Sequence, residues 1–165
     1  MRRYTNSMKH KGFTVVELIV VVVVIVILAT ITVVSYSFVR EDAMDTKIKA
    51  TVKTVGDAIQ LHESKTGSRI AGGPFFSDPN GVDSLVPDYL KPGYRDGITS
   101  KNASADPVYV FRMWTCNNGT GGFIIYASLN NPTTEDISNF TSLRSSCGHS
   151  VDHMPGATYN YAQIF

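Results

Sequence analysis

No acidic residue precedes Gly12, and no charge of either sign interrupts the run from Leu18 to Val34. These two absences exclude a water-exposed surface for the N-terminal part of the chain, because a soluble helix needs a polar face. Other absences narrow the chemistry. There is no internal repeat, no G-x-S-x-G, no glycine-rich phosphate loop and no pair of carboxylates in a recognisable catalytic frame. Enzyme classes built on those motifs are excluded, and the chain reads as a non-enzyme. Cysteine is scarce, with only Cys116 and Cys147.

The basic charge present is concentrated at the start, in Arg2, Arg3, Lys9 and Lys11. Gly12-Phe13-Thr14-Val15-Val16-Glu17 follows, and then the apolar run. About twenty helical residues cross a hydrocarbon core of roughly 30 Å, and residues 13–34 suffice. Positive charge before the span and the mixed Arg40-Glu41-Asp42 cluster after it put the leader in the cytoplasm and everything beyond Val39 outside. Glu17 is a lone carboxylate just inside the span. Such a group is costly there, so it implies a function and a partner.

Basic leader, glycine, aromatic residue, glutamate and apolar helix, in that order, resemble the class III signal of type IV prepilins and pseudopilins. The resemblance covers Gly12 to about Tyr36. It implies that a membrane prepilin peptidase cuts between Gly12 and Phe13 and that Phe13 is then N-methylated. Glu17 becomes the fifth residue of the processed chain. In a dry filament core an unpaired carboxylate is expensive, and the new α-amino group of a neighbouring Phe13 compensates it. The resemblance therefore assigns Glu17 to subunit assembly, as a reporter of stagger between copies. Two plainer readings, a secretory signal cut near Ala29 and an ordinary single-pass anchor, leave Gly12-Phe13 and Glu17 unexplained. The chain departs from the commonest pilin pattern at Val26 and Val34, where many members carry glycine and proline. Without those helix breakers the helix either stays continuous or is loosened by its run of valines, which are weaker helix formers than alanine or leucine.

The expected organisation is a cleaved leader (1–12), a transmembrane and assembly half-helix (13–39), and an exported globular domain (40–165) that includes the second half of the helix. Cleavage removes the leader's four basic residues and leaves 11 Lys and Arg against 14 Asp and Glu, formally −3. No basic surface suggests a specific nucleic-acid partner. Beyond the span, Met44, Ile48, Val52, Val55 and Ile59 form a one-sided apolar stripe at helical spacing, and Gly67 is a stop. Residues 72–105 are rich in Gly, Pro, Asp, Asn and Ser and read as loop, with a short helical turn within 82–90. Strands are expected over 107–116 and 123–129, joined by a hairpin turn through Asn117-Asn118-Gly119 and Gly121-Gly122. A short helix is expected over 134–145 and a final strand over 157–165. The fold class is α+β. It comprises a long N-terminal helix on a three- or four-stranded antiparallel sheet, the architecture that the resemblance also implies.

Outside a membrane, Cys116 and Cys147 would oxidise to a bridge. Closing a loop of about thirty residues contributes roughly 3 to 4 kcal/mol in the chain-entropy model. Pilins often tie the C-terminal segment to the sheet in this way. The competing sets are a metal site from Cys116, Cys147, His149 and His153, and a Cys-His nucleophile from the same residues. Asp78, Asp83, Asp88, Asp96 and Asp106 punctuate the loops. Their spacing fits no EF-hand, and they read as solvated turn residues in preference to calcium ligands. Asn102, Asn118 and Asn139 open matches to the N-glycosylation pattern, weak in the prokaryote that the resemblance implies.

The resemblance implies a structural subunit held in the cytoplasmic membrane and then polymerised into an extracellular pilus. Its partners would be sister subunits, the prepilin peptidase, and an assembly platform with its ATPase. The alternatives are a pseudopilin of a secretion system and a membrane-anchored binding domain that never polymerises.

Overall fold

The structure is a computed structural model that describes residues 12–70, 81–103, 110–117, 119, 121–149 and 158–165. Its elements are α1 (Val15–Thr66), a 3-10 turn (Val82–Leu85), β1 (Phe111–Thr115), β2 (Phe123–Ala127), α2 (Thr134–Ser146) and β3 (Tyr161–Ile164). The chain divides into two compact units, Met1–Val39 and Arg40–Phe165.

In the first unit, the described part of α1 beyond Glu17 has no charged face. Phe13 is 86% exposed, and even Val24, in mid-run, is 49% exposed. An 18-residue stretch of this helix has a mean hydropathy of 3.3, long and apolar enough to cross a membrane.

The second unit has a closed core. Ile48, Val52, Val55 and Ile59 are buried, and Met44 packs against them at the edge. The helix ends where glycine permits a left-handed residue. Gly67 has φ 68° and its N–H donates to the Glu63 carbonyl at 2.9 Å.

The sheet is antiparallel, in the order β1-β2-β3. Phe111 lies opposite Ala127, Thr115 opposite Phe123, and Ile124 opposite Ile164. This register sorts the side chains. Phe111, Met113, Phe123, Ile125 and Ala127 join the α1 stripe together with Leu85, Leu90 and Ile98. Ile124, Tyr126 and Ala162 form a second cluster on the opposite face, with Trp114 and with Phe140, Leu143 and Cys147 from α2 and its end. β2 is covered on both faces and all five of its residues are buried, which is why it reads as a continuous apolar run. β1, an outer strand, alternates instead.

Polar joints fix this packing. Asp45 is buried on α1. Its Oδ1 accepts from the Asn130 N–H at 2.7 Å and the Asn130 side-chain amide at 2.9 Å, and its Oδ2 accepts from the Asn131 N–H at 2.7 Å. The loop between β2 and α2 is thereby pinned to α1. Lys49 donates to both carboxylate oxygens of Asp136, at 2.6 and 2.8 Å. Gly56 lies against the Phe165 ring so closely that a Cβ there would overlap it, and Phe165 in turn stacks on Phe123 at 5.3 Å.

Several elements are shorter than expected. The turn in 82–90 is helical only over Val82–Leu85. The last strand is Tyr161–Ile164, and residues 107–109 and 157 lie outside those described. α2 runs one residue past the expected range, with Phe140 and Leu143 on its inner side. Ile137 is 48% exposed, while Asp136, Phe140, Leu143 and Cys147 point to the fold at spacings of four, three and four.

Candidate functional site

The segment that carries the signal residues begins α1. Gly12, Phe13 and Thr14 are not helical, and the helix starts at Val15. Thr14 is the capping residue. Its N–H and its hydroxyl both donate to Glu17 Oε2, at 2.8 and 2.9 Å, and its Oγ1 accepts from the Glu17 N–H at 3.3 Å. This is a reciprocal capping box, which satisfies donors that a helix start otherwise leaves open. Gly12, Phe13 and Glu17 thus lie together on one exposed helix start. The leader's basic residues lie outside those described.

A second capping box in the same chain provides a comparison. Thr133 Oγ1 accepts from the Asp136 N–H at 3.1 Å, and Asp136 Oδ2 accepts from the Thr133 N–H at 3.0 Å and the Thr133 hydroxyl at 2.8 Å. Here a cation completes the site. Burial works to raise the Asp136 carboxyl, but Lys49 and the two Thr133 bonds outweigh it and hold the group below the usual carboxylate range. Among the described residues no ion pair reaches Glu17. Glu17 therefore has the hydrogen-bond half of the arrangement, and among the described residues no cation completes it.

Cys116 and Cys147 are joined in a disulfide with Cα atoms 4.5 Å apart, linking the end of β1 to the end of α2. The Asn117 N–H donates to the Cys147 carbonyl at 2.8 Å beside it. Bridged sulfurs offer neither a thiolate ligand nor a nucleophile. The His149 Nε2 is 2.8 Å from the Thr115 carbonyl, and its ring is tilted against Trp114 at 5.5 Å. His153 lies outside the described residues. Among those described, no group of three or more His, Cys, Asp or Glu could hold a metal ion.

Of the loop aspartates, Asp83 has side-chain partners. Asp83 accepts from the Tyr94 hydroxyl at 2.8 Å and from the Arg95 guanidinium at 2.6 Å. Burial, aided by that bond, pushes the Tyr94 phenol well above its ordinary value. Asp78 and Asp106, like Ser104, Asn118 and Thr120 of the sequence matches for glycosylation, lie outside the described residues. Asn139 is exposed within α2. A cleft of about 400 Å³ lies among Thr51, Thr54, Tyr89, Leu90, Lys91 and Tyr94. Its threonine hydroxyls donate to carbonyls of their own helix, at Lys47 and Ala50. Burial also pushes the Tyr126 phenol, under α2, up to about 12.

Thr14 is the residue of this helix start that the sequence reading passed over. Its signal was available: a threonine three residues before an acid, immediately ahead of an apolar run, is the pattern of a capping box.

The architecture defines a class, a pilin-like α+β subunit with a long N-terminal helix, a three-stranded antiparallel sheet and a second helix. Residues 7–33 match the family described as the prokaryotic N-terminal methylation motif, so the chain carries that motif followed by a long apolar helix. The motif indicates a prepilin of the type IV pilin or pseudopilin type. No curated protein and no solved structure matches the chain.

Proposed function

We propose that this chain is a structural subunit of a type IV pilus or pilus-like filament. It is made with a leader, residues 1–12, that is removed between Gly12 and Phe13, and Phe13 is N-methylated. The part from Phe13 to Val39 anchors the subunit in the cytoplasmic membrane and then packs with sister subunits. The part from Arg40 to Phe165 is exported and forms the filament surface, where adhesion, motility or DNA uptake would take place. The prepilin peptidase, an assembly platform and a cytoplasmic ATPase are the partners that this reading requires.

The observation that carries it is the state of Glu17. Its carboxylate stands on an exposed apolar helix and is bonded through Thr14, whereas the matching acid of α2 also has Lys49. A charge that must enter a dry helical packing needs a cation. Cleavage creates one, the α-amino group of Phe13 on a neighbouring copy. Glu17→Ala should leave cleavage largely intact and abolish filaments. Both are read from the mass of the N-terminus and the yield of sheared surface fibres. Normal filaments from this variant would sink the pairing. A processed wild-type chain confined to membranes would move the assignment to a pseudopilin, and an intact leader would move it to a membrane-anchored domain that does not polymerise.

A further inference from the structure

Nothing apolar in the sequence requires α1 to begin at Val15. Phe13 is as compatible with a membrane-bound helix as the valines after it, and Gly12 is itself an acceptable capping residue. A start two residues earlier, with Gly12 as cap and Phe13 as first helical residue, would draw the Gly12 carbonyl into the helix ladder opposite the Val16 N–H. In the structure the ladder starts later. The Leu18 N–H donates to the Thr14 carbonyl at 3.2 Å, and Gly12 and Phe13 precede the helix. The device that sets this boundary is the Thr14 side chain, which takes the Glu17 N–H and gives its own proton to the Glu17 carboxylate. Near hydrocarbon, open donors at a helix end are more expensive than in water, so the cap is worth more there.

The Gly12 carbonyl belongs to the bond that processing breaks. Water adds across that amide: Gly12 keeps the oxygen as a carboxylate, and the Phe13 nitrogen leaves as the amine with the proton. Sites that act on a peptide bond engage the chain extended, through its main-chain groups. A carbonyl committed to a helix is withdrawn from such engagement.

We propose that Thr14 is a positioning residue for processing. Its hydroxyl starts α1 past the scissile bond and keeps Gly12–Phe13 extended and accessible to the peptidase. The inference rests on the processing reading above and adds a residue and a mechanism to it. It also separates two neighbours by role. In Glu17→Ala the backbone N–H of residue 17 still bonds to Thr14 Oγ1, so the boundary holds and assembly alone suffers. In Thr14→Val, of the same shape but without the hydroxyl, the boundary moves and cleavage suffers.

The test uses the full-length precursor in membranes with the peptidase of the native host. Thr14→Val should raise KM about fivefold with kcat unchanged, because only the fraction of chain that is extended at Gly12 is competent to bind. Thr14→Ser should return KM to within about twofold of the wild type, since serine caps as well as threonine. A second readout needs no peptidase: the carbonyl carbon chemical shift of Gly12 in detergent micelles should be helical in Thr14→Val and extended in the wild type and Thr14→Ser. An unchanged KM in Thr14→Val, an extended Gly12 in that variant, or failure of serine to restore cleavage overturns the inference. So does a fall in kcat with KM unmoved, which would mean that the peptidase contacts the side chain directly. A wild-type precursor that is never cut at Gly12–Phe13 overturns the processing reading itself, and this inference with it.

Discussion

From Leu18 to Ile31, α1 carries no charge on any side and its side chains stay exposed; from Met44 to Ile59 its apolar residues keep to one stripe, and Ile48, Val52 and Val55 are fully buried. The two stretches belong to one helix with two different solvents. The first is left uncovered by the described residues, and lipid or other copies are cover that would suit it. The second is covered from within, by the sheet and the loops. Hydrophobicity alone does not separate these cases, whereas its distribution around the helix does. A helix without a polar side needs an external partner along its whole circumference.

The same substitution placed in each stretch breaks this comparison most sharply. Val52→Lys should cost roughly 4 kcal/mol or more and unfold residues 40–165, since a charge would be buried without a partner. Val23→Lys, at a position 51% exposed, should leave the denaturant melt of those residues within about 0.5 kcal/mol. It should instead weaken membrane insertion by about 2.5 to 3.5 kcal/mol. Equal effects of the two changes on the melt would end the distinction.

The next effect lies within the second unit. Replacing both cysteines by serine should lower stability by roughly 3 to 4 kcal/mol in guanidinium titration, and addition of a reductant to the wild type should give the same shift. Gly56→Ala should destabilise by about 1 to 3 kcal/mol, because the new Cβ meets the Phe165 ring. Phe165→Leu in the same chain should recover part of that loss, and strictly additive losses would show that the close approach is not the cause.

The smallest effect concerns pH. The folded Asp136 carboxyl lies below its unfolded value of about 3.9. Its contribution is therefore complete above that value and is lost as pH falls through the folded one. Asp136→Asn should lower stability near neutral pH by roughly 1 kcal/mol and flatten the acid limb of the stability profile. An unaltered acid limb would assign it to other carboxylates.

The N-terminal signal and helix, the α1 stripe, the stop at Gly67, the central hairpin and α2 were all legible, because each is a local pattern with a period or a punctuation residue. What was not legible depends on distant partners. The burial of Asp45 follows from Asn130 and Asn131, far along the chain, and an aspartate among lysines on a helix reads as solvent-facing. Gly56 looks like a mild defect in a helix until Phe165 is set against it. Ile137 fits an apolar periodicity by type, yet α2 is rotated so that Asp136 meets Lys49. At the candidate site motif order singles out Gly12, Phe13 and Glu17, and spacing singles out the capping bond of Thr14.

The place of Phe165 against Gly56 would set a timetable for the export proposed above. On that proposal residues 44–59 leave the membrane early, with their apolar side uncovered, and the strand and ring that help to close over them arrive about a hundred residues later. Throughout that interval the emerging chain carries a sticky helix face beside unpaired strands, the condition in which nascent polypeptides aggregate. On the proposed export, secretion rate, and any holdase that binds amphipathic helices, would thus become determinants of how many chains reach the native state.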